Sequence, residues 1–306
     1  MQRVSLVLVV ASVVPYILLK LLWLGGSQVG MRPGSGVGEM GTPRMIIGNV
    51  LTVMLELVAV GLAFALAGNW GRRIPAWLIV GIAGAATGLL APIIVGLPPG
   101  VLIQAVIDGT LSSGEEGNLE GWVFLVTYGA FGVLGISLAA LLVLHILDRW
   151  RRLLASPPQI PRQWWARLAA VAVLPFGLSM CYWGVAGPGA YGPAGMDAIA
   201  QRSVLVATGL LTLMGPTIPL VAQRWPLPPI AAWALTWTGC ATAALQGPAQ
   251  LILAREGRPA TLVAVLGLVA APAAVVYGFT VLYQRISASA QECSSSPPAA
   301  PAVGSL

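Results

Sequence analysis

ASVVPYILLKLLWLGG (11–26) returns in altered form as VAVLPFGLSMCYWGVA (171–186), and this echo decides how the chain is read. Pro15 matches Pro175, Tyr16 matches Phe176, Leu18 matches Leu178 and Trp23 matches Trp183, all at an offset of 160 residues. Further on, Trp77 to Pro92 aligns with Trp233 to Pro248 at an offset of 156, setting Ala85 on Ala241 and Leu89 on Leu245. With one gap, LIQAVIDG (102–109) then falls beside LILAREG (251–257). Three matches in the same order in both halves indicate a duplicated unit, and a repeat constrains the fold before any local reading does.

The repeated segments are apolar throughout. Hydrophobic residues make up 57% of the 306-residue chain and charged residues only 8%, against about 25% charged in soluble domains; mean hydropathy is +0.85. Such a chain has too few charges to build a water-facing surface, so an integral membrane protein is expected. The net charge of +6 then belongs to loops at one membrane face, and no nucleic-acid partner follows from it. Fifteen of the sixteen basic residues are Arg, a composition that suggests a bacterial genome rich in G and C.

A spanning helix takes about 20 mostly apolar residues. That length predicts an all-α bundle of eight spans, at 4–24, 46–68, 75–96, 121–147, 166–187, 203–223, 229–250 and 260–284. The stretch 97–109 reads as an interfacial or re-entrant piece. The first span follows Arg3 but contains Lys20 and has no cleavage motif of the A-x-A type, so it reads as a retained helix rather than a signal peptide. Arg residues set the orientation. With the N-terminus inside, ten (3, 72, 73, 149, 151, 152, 162, 167, 224 and 285) fall on the inner face and five (32, 44, 202, 255 and 258) outside. This bias predicts a multi-pass protein of the bacterial inner membrane with both termini cytoplasmic.

Four spans per unit make the repeats parallel, related by an axis along the membrane normal. The expected division is a first repeat at 1–147, a cytoplasmic linker at 148–165 broken by prolines, a second repeat at 166–285, and a Ser/Ala/Pro-rich disordered tail at 286–306. Gly84-xxx-Gly88, Cys240-xxx-Ala244 and the series Gly129, Gly132, Gly135 read as seams where helices approach closely. Pro15, Pro175, Pro216 and Pro219 predict kinks. Most of the eleven Trp fall at span ends as an interfacial belt, with Trp233 and Trp237 set deeper.

Two charges interrupt the spans. Lys20 lies within snorkelling reach of the outer face, whereas Glu56 falls near the midplane, where an uncompensated carboxylate costs about 3 kcal/mol. The second unit has Met180 for Lys20 and Thr212 for Glu56 (LEL against LTL). A pair lost together fits either an ion pair on facing helices or a site kept by one half. Lys20, Asn49 and Glu56 are therefore the candidate substrate-binding or ion-binding residues, and no catalytic residue is assigned.

Other motifs carry little. Gly36-x-Gly38-x-x-Gly41 follows no strand and opens no βαβ unit, so it reads as a loop. His145 is the only histidine, and Cys181, Cys240 and Cys293 have no metal or disulfide spacing, so no metal and no cofactor are expected. Glu115, Glu116 and Glu120 read as a solvated acidic loop. There is no GxSxG element and no P-loop.

LKLLWLGG (19–26) and SMCYWGVAG (179–187) resemble the first-helix ending of small four-helix bacterial membrane domains of unknown function, with a W-x-x-G-G-type element. The resemblance implies a tandem version of that domain and no particular activity. Three expectations follow, in order. A transporter or permease-like protein for a small solute fits the parallel duplication and the midplane carboxylate. An accessory or protective subunit of a larger membrane complex, with a membrane-protein partner or further copies of itself, is the alternative. A membrane-embedded enzyme comes third. A polar cavity reaching Glu56 favours the first, and a closed apolar bundle the second.

Overall fold

The computed structural model describes residues 2–32, 42–68, 71, 73–109, 120–151, 153–252 and 260–295. Those residues form no strand, and the fold is all-α. Eight long helices follow one another: α1 (Gln2–Leu24), α2 (Pro43–Ala67), α3 (Ala76–Asp108), α4 (Gly121–Arg149), α5 (Trp164–Ala186), α6 (Ile199–Arg224), α7 (Pro229–Ile252) and α8 (Thr261–Ser295). All but α7 are both long and apolar enough to cross a membrane. Large apolar side chains face outward along them, among them Val4, Leu18, Ile136, Val171 and Leu268, as lipid contact requires. This is a multi-pass helical membrane protein.

Of the eight expected spans, the one at 229–250 is corrected: it is a helix, α7, but falls short of the apolarity of a candidate span. Its 24 residues are diluted by Thr236, Thr238, Thr242 and Gln246. Packing explains this, because α7 is wrapped by α3, α6 and α8, and eleven of its residues are buried. A helix shielded from lipid keeps polar side chains that a lipid-facing helix cannot.

A second correction concerns 97–109, which is no separate interfacial piece. It continues α3 without a break through Pro92, Pro98 and Pro99, to a left-handed Gly109 with φ 66°. A proline removes the hydrogen bond to the carbonyl four residues back, and for Pro92 that carbonyl belongs to Gly88. Gln246 Nε2 of α7 supplies the missing donor at 2.9 Å. The third correction is at the C-terminus, where α8 runs on to Ser295, beyond the expected tail boundary at 286. Residues 296–306 lie outside the described residues, as do Gly36, Gly38, Gly41, Glu115 and Glu116.

Within each half the helices close a ring of neighbours in the same order: α1·α2, α2·α3, α3·α4 and α1·α4, then α5·α6, α6·α7, α7·α8 and α5·α8. The rings differ in tightness. At the α6–α7 contact Gly215 and Gly239 bring their backbones together, and a Cβ on Gly239 would strike the Gly215 amide. At the offset of 156 these glycines correspond to Ala59 and Ala83, and the α2–α3 contact is the slightest of the first ring. α3 turns instead to the second half and packs along α6 and α7.

That seam is built on an i, i+4 stripe of Gly84, Gly88, Pro92, Gly96, Gly100 and Gln104, all buried. Gly84 receives Trp237, Gly88 the backbone of Ala241, and Gly96 and Gly100 the Ser203 region of α6. The sequence signal at Gly84-xxx-Gly88 thus marks a true seam, though only its first half. Gly135 meets Ile94 of α3, whereas Gly129 and Gly132 have open space where a Cβ would lie, so they mark no seam. Cys240 lies against Gly215 and Gly278. At the seam's far end the Gln104 side-chain carbonyl accepts the Ala200 amide at 3.1 Å. One half of the chain thereby caps a helix of the other, satisfying an N–H that the first turn leaves open.

The linker breaks where its prolines predict. A single 3₁₀ turn (Leu153–Ala155) follows α4, and the chain is then extended to α5. It is tied to the second half by Arg285 on the Leu153 carbonyl (2.8 Å) and Trp233 Nε1 on the Ser156 carbonyl (2.8 Å). The latter bond explains why Trp233 departs from the interfacial belt. Its repeat counterpart Trp77 is 72% exposed.

Candidate functional site

Polar groups inside an apolar helix need partners, because no water is available there. The three residues singled out from the sequence occupy one region between α1 and α2. Lys20 Nζ donates to Asn49 Oδ1 at 2.9 Å. The same ammonium lies 4.6 Å from the Trp23 ring centre and 5.2 Å from that of Tyr16, distances at which a cation is attracted to the ring face. Trp23 is fixed in turn by its indole N–H on the Val29 carbonyl (2.9 Å), and Tyr16 by Phe131 of α4, with ring centres 5.0 Å apart. Asn49 and Tyr16 are buried. Lys20, itself half-buried, thus sets its ammonium against two rings and an amide oxygen.

Glu56 is buried too, with 5% of its surface exposed. It sits seven residues beyond Asn49 on α2, about 10 Å along the axis. Its Oε2 has no hydrogen-bond partner, and among the described residues no ion pair reaches it. The structure thus joins Lys20 to Asn49 and leaves Glu56 apart, within electrostatic reach of the Tyr16 phenol. Thr52, one turn from Glu56, hydrogen-bonds the Gly48 carbonyl at 3.0 Å and lies beside the same phenol.

Tyr16 and Thr52 were not singled out as site residues from the sequence, yet the repeat held the signal. Tyr16 becomes Phe176, Lys20 becomes Met180, Asn49 becomes Leu205 and Glu56 becomes Thr212. Tyr16, Lys20 and Asn49 give way to apolar residues of similar size, and Glu56 gives way to a shorter hydroxyl. Phe176, Met180 and Leu205 form a dry cluster with Trp183. Thr208, the counterpart of Thr52, bonds Val204 as Thr52 bonds Gly48, so the helix geometry is retained while the site is not. At the Glu56 position itself, Thr212 Oγ1 is likewise without a partner.

A surface crevice in the first half does not include this cluster in its lining. It lies between α2 and α3, has a volume of about 640 Å³, and is lined by Val58, Gly61, Leu62 and Ala65 on one side and Ile74, Leu78, Ile79 and Ile82 on the other. Another lies beside Tyr182 and Tyr191 in the second half. No group of three His, Cys, Asp or Glu side chains able to hold a metal occurs among the described residues. Glu120, the described member of the acidic loop, accepts the Trp122 indole N–H at 2.8 Å. Comparison with known proteins finds no match: no family model, no curated protein and no solved structure aligns with this chain.

Proposed function

We propose that this chain is a non-transporting helical module of the bacterial inner membrane, an accessory or protective subunit of a larger assembly, with both termini cytoplasmic. The observation that carries this reading is the burial of Tyr16, Asn49 and Glu56, none of which lines either of the two crevices described above. A transporter needs its midplane site to communicate with water on one side at a time. The polar cluster here does structural work, orienting α1 on α2 in the half whose α2–α3 contact is loose. The tandem four-helix organisation suggested by the repeat belongs to this reading.

A permease-like role for a small solute is the second reading, and Glu56 favours it, since a buried carboxylate with an unsatisfied oxygen is a ready cation or proton acceptor. Thiol labelling separates the two. In a background of Cys181→Ser, Cys240→Ala and Cys293→Ser, Glu56→Cys is exposed to a membrane-impermeant maleimide from each side. The module reading expects no labelling from either face, with Gln28→Cys labelling freely as a control. Rapid labelling of Glu56→Cys in folded protein overturns it in favour of a water-accessible pathway.

A further inference from the structure

The α2–α3 crevice has a chemistry of its own. We propose that it is a binding site for one anionic phospholipid, an acyl chain lying between α2 and α3 and the phosphate meeting Arg73. Nine of the ten lining residues are apolar or glycine, and the tenth is Arg73, at the end where α2 gives way to α3. Arg73 is exposed, and Arg149 lies at the same end, bonding the Gly71 and Ile74 carbonyls at 3.4 Å. A slot that is apolar along its length and cationic at its mouth complements a lipid with a negative headgroup, and basic pockets between membrane helices hold such headgroups. The space is real at residue level, since a Cβ on Gly61 would meet nothing within 4 Å. A volume of about 640 Å³ also falls within the range of ordinary ligand pockets.

The matching contact of the second half is tight: Gly215 and Gly239 bring α6 and α7 together where the first half has Ala59 and Ala83.

The test reads lipid retention by native mass spectrometry after extraction from bilayers of mixed phosphatidylglycerol and phosphatidylcholine. Wild-type chain should retain one phosphatidylglycerol in preference to phosphatidylcholine. Arg73→Gln should reduce that retention about fivefold, the weight of one surface cation. Gly61→Leu should abolish it by filling the slot, and Gly132→Leu, at an open position on α4, should leave it unchanged. Equal retention of both lipids, or retention unaffected by Arg73→Gln, overturns the proposal, and Arg73→Gln on an exposed side chain keeps that outcome readable if Gly61→Leu misfolds. A dimer that Gly61→Leu dissociates would also overturn it, by assigning the slot to a second copy of the chain.

Discussion

Lys20→Met is a substitution the second half already carries, as Met180, and Asn49→Leu is another, as Leu205. Each alone leaves one buried partner of a 2.9 Å bond unsatisfied, at about 1 kcal/mol, between the values for hydrogen bonds to charged groups and for bonds between membrane helices. The double variant removes both partners together and should recover much of that loss, as the dry Phe176–Met180–Leu205 cluster shows is compatible with the fold. A double-mutant cycle on unfolding in mixed micelles should therefore give about 1 kcal/mol of coupling for Lys20 with Asn49, and less for Lys20 with Glu56→Thr. Additivity at the first pair sinks this account. At this scale much was legible: charges in an apolar run stand out, and the repeat marks them as dispensable to the fold. Of the contacts expected for Lys20, the one with Asn49 is formed and a direct ion pair with Glu56 is not seen among the described residues, because spacing along two helices fixes depth but not rotation. Asn49 is nearer to Lys20 and takes its donor.

Gly239 shows what one methyl group decides between two helices. Gly239→Ala should lower stability by about 2 kcal/mol through overpacking against Gly215, while Ala83→Gly at the matching position should cost no more than about 1 kcal/mol of helix propensity. Thermal unfolding of the two variants checks the contrast, and equal losses would mean that the α6–α7 contact is not set by its glycines. Element boundaries were largely legible from apolar run length, and all eight helices fall where expected. The continuation of α3 past Pro98 was not, because a Pro-Pro pair reads as a helix end in water. Within a bundle, neighbouring side chains satisfy what proline leaves open. Cutting the run at 96 also hid Gly96 and Gly100, and with them the second half of the seam.

For the molecule as a whole, the proposed topology of eight crossings with the N-terminus inside puts Gln28 and Tyr191 on one side of the membrane and Ala155 on the other. In the cysteine-free background, a maleimide added to intact cells should label Gln28→Cys and Tyr191→Cys, and should label Ala155→Cys only after permeabilisation. The reverse pattern inverts the topology, and Gln28 and Tyr191 labelling from opposite sides removes a span. Charge distribution supports this orientation from sequence alone. What sequence could not convey is that α3 belongs as much to the second half as to the first. A repeat alignment compares units one at a time and carries no information about contacts between them.

The bond from Ala200 to the Gln104 side chain spans 96 residues, and it has a meaning in time as well as in space. At synthesis rates of 5–20 residues per second, α3 enters the bilayer about 5–20 s before α6 exists to receive it. Through that interval its glycine stripe and the Gly88 carbonyl face lipid or whatever insertion machinery holds the nascent chain. Until α6 and α7 are made, that stripe and that carbonyl lack the partners they have in the folded chain.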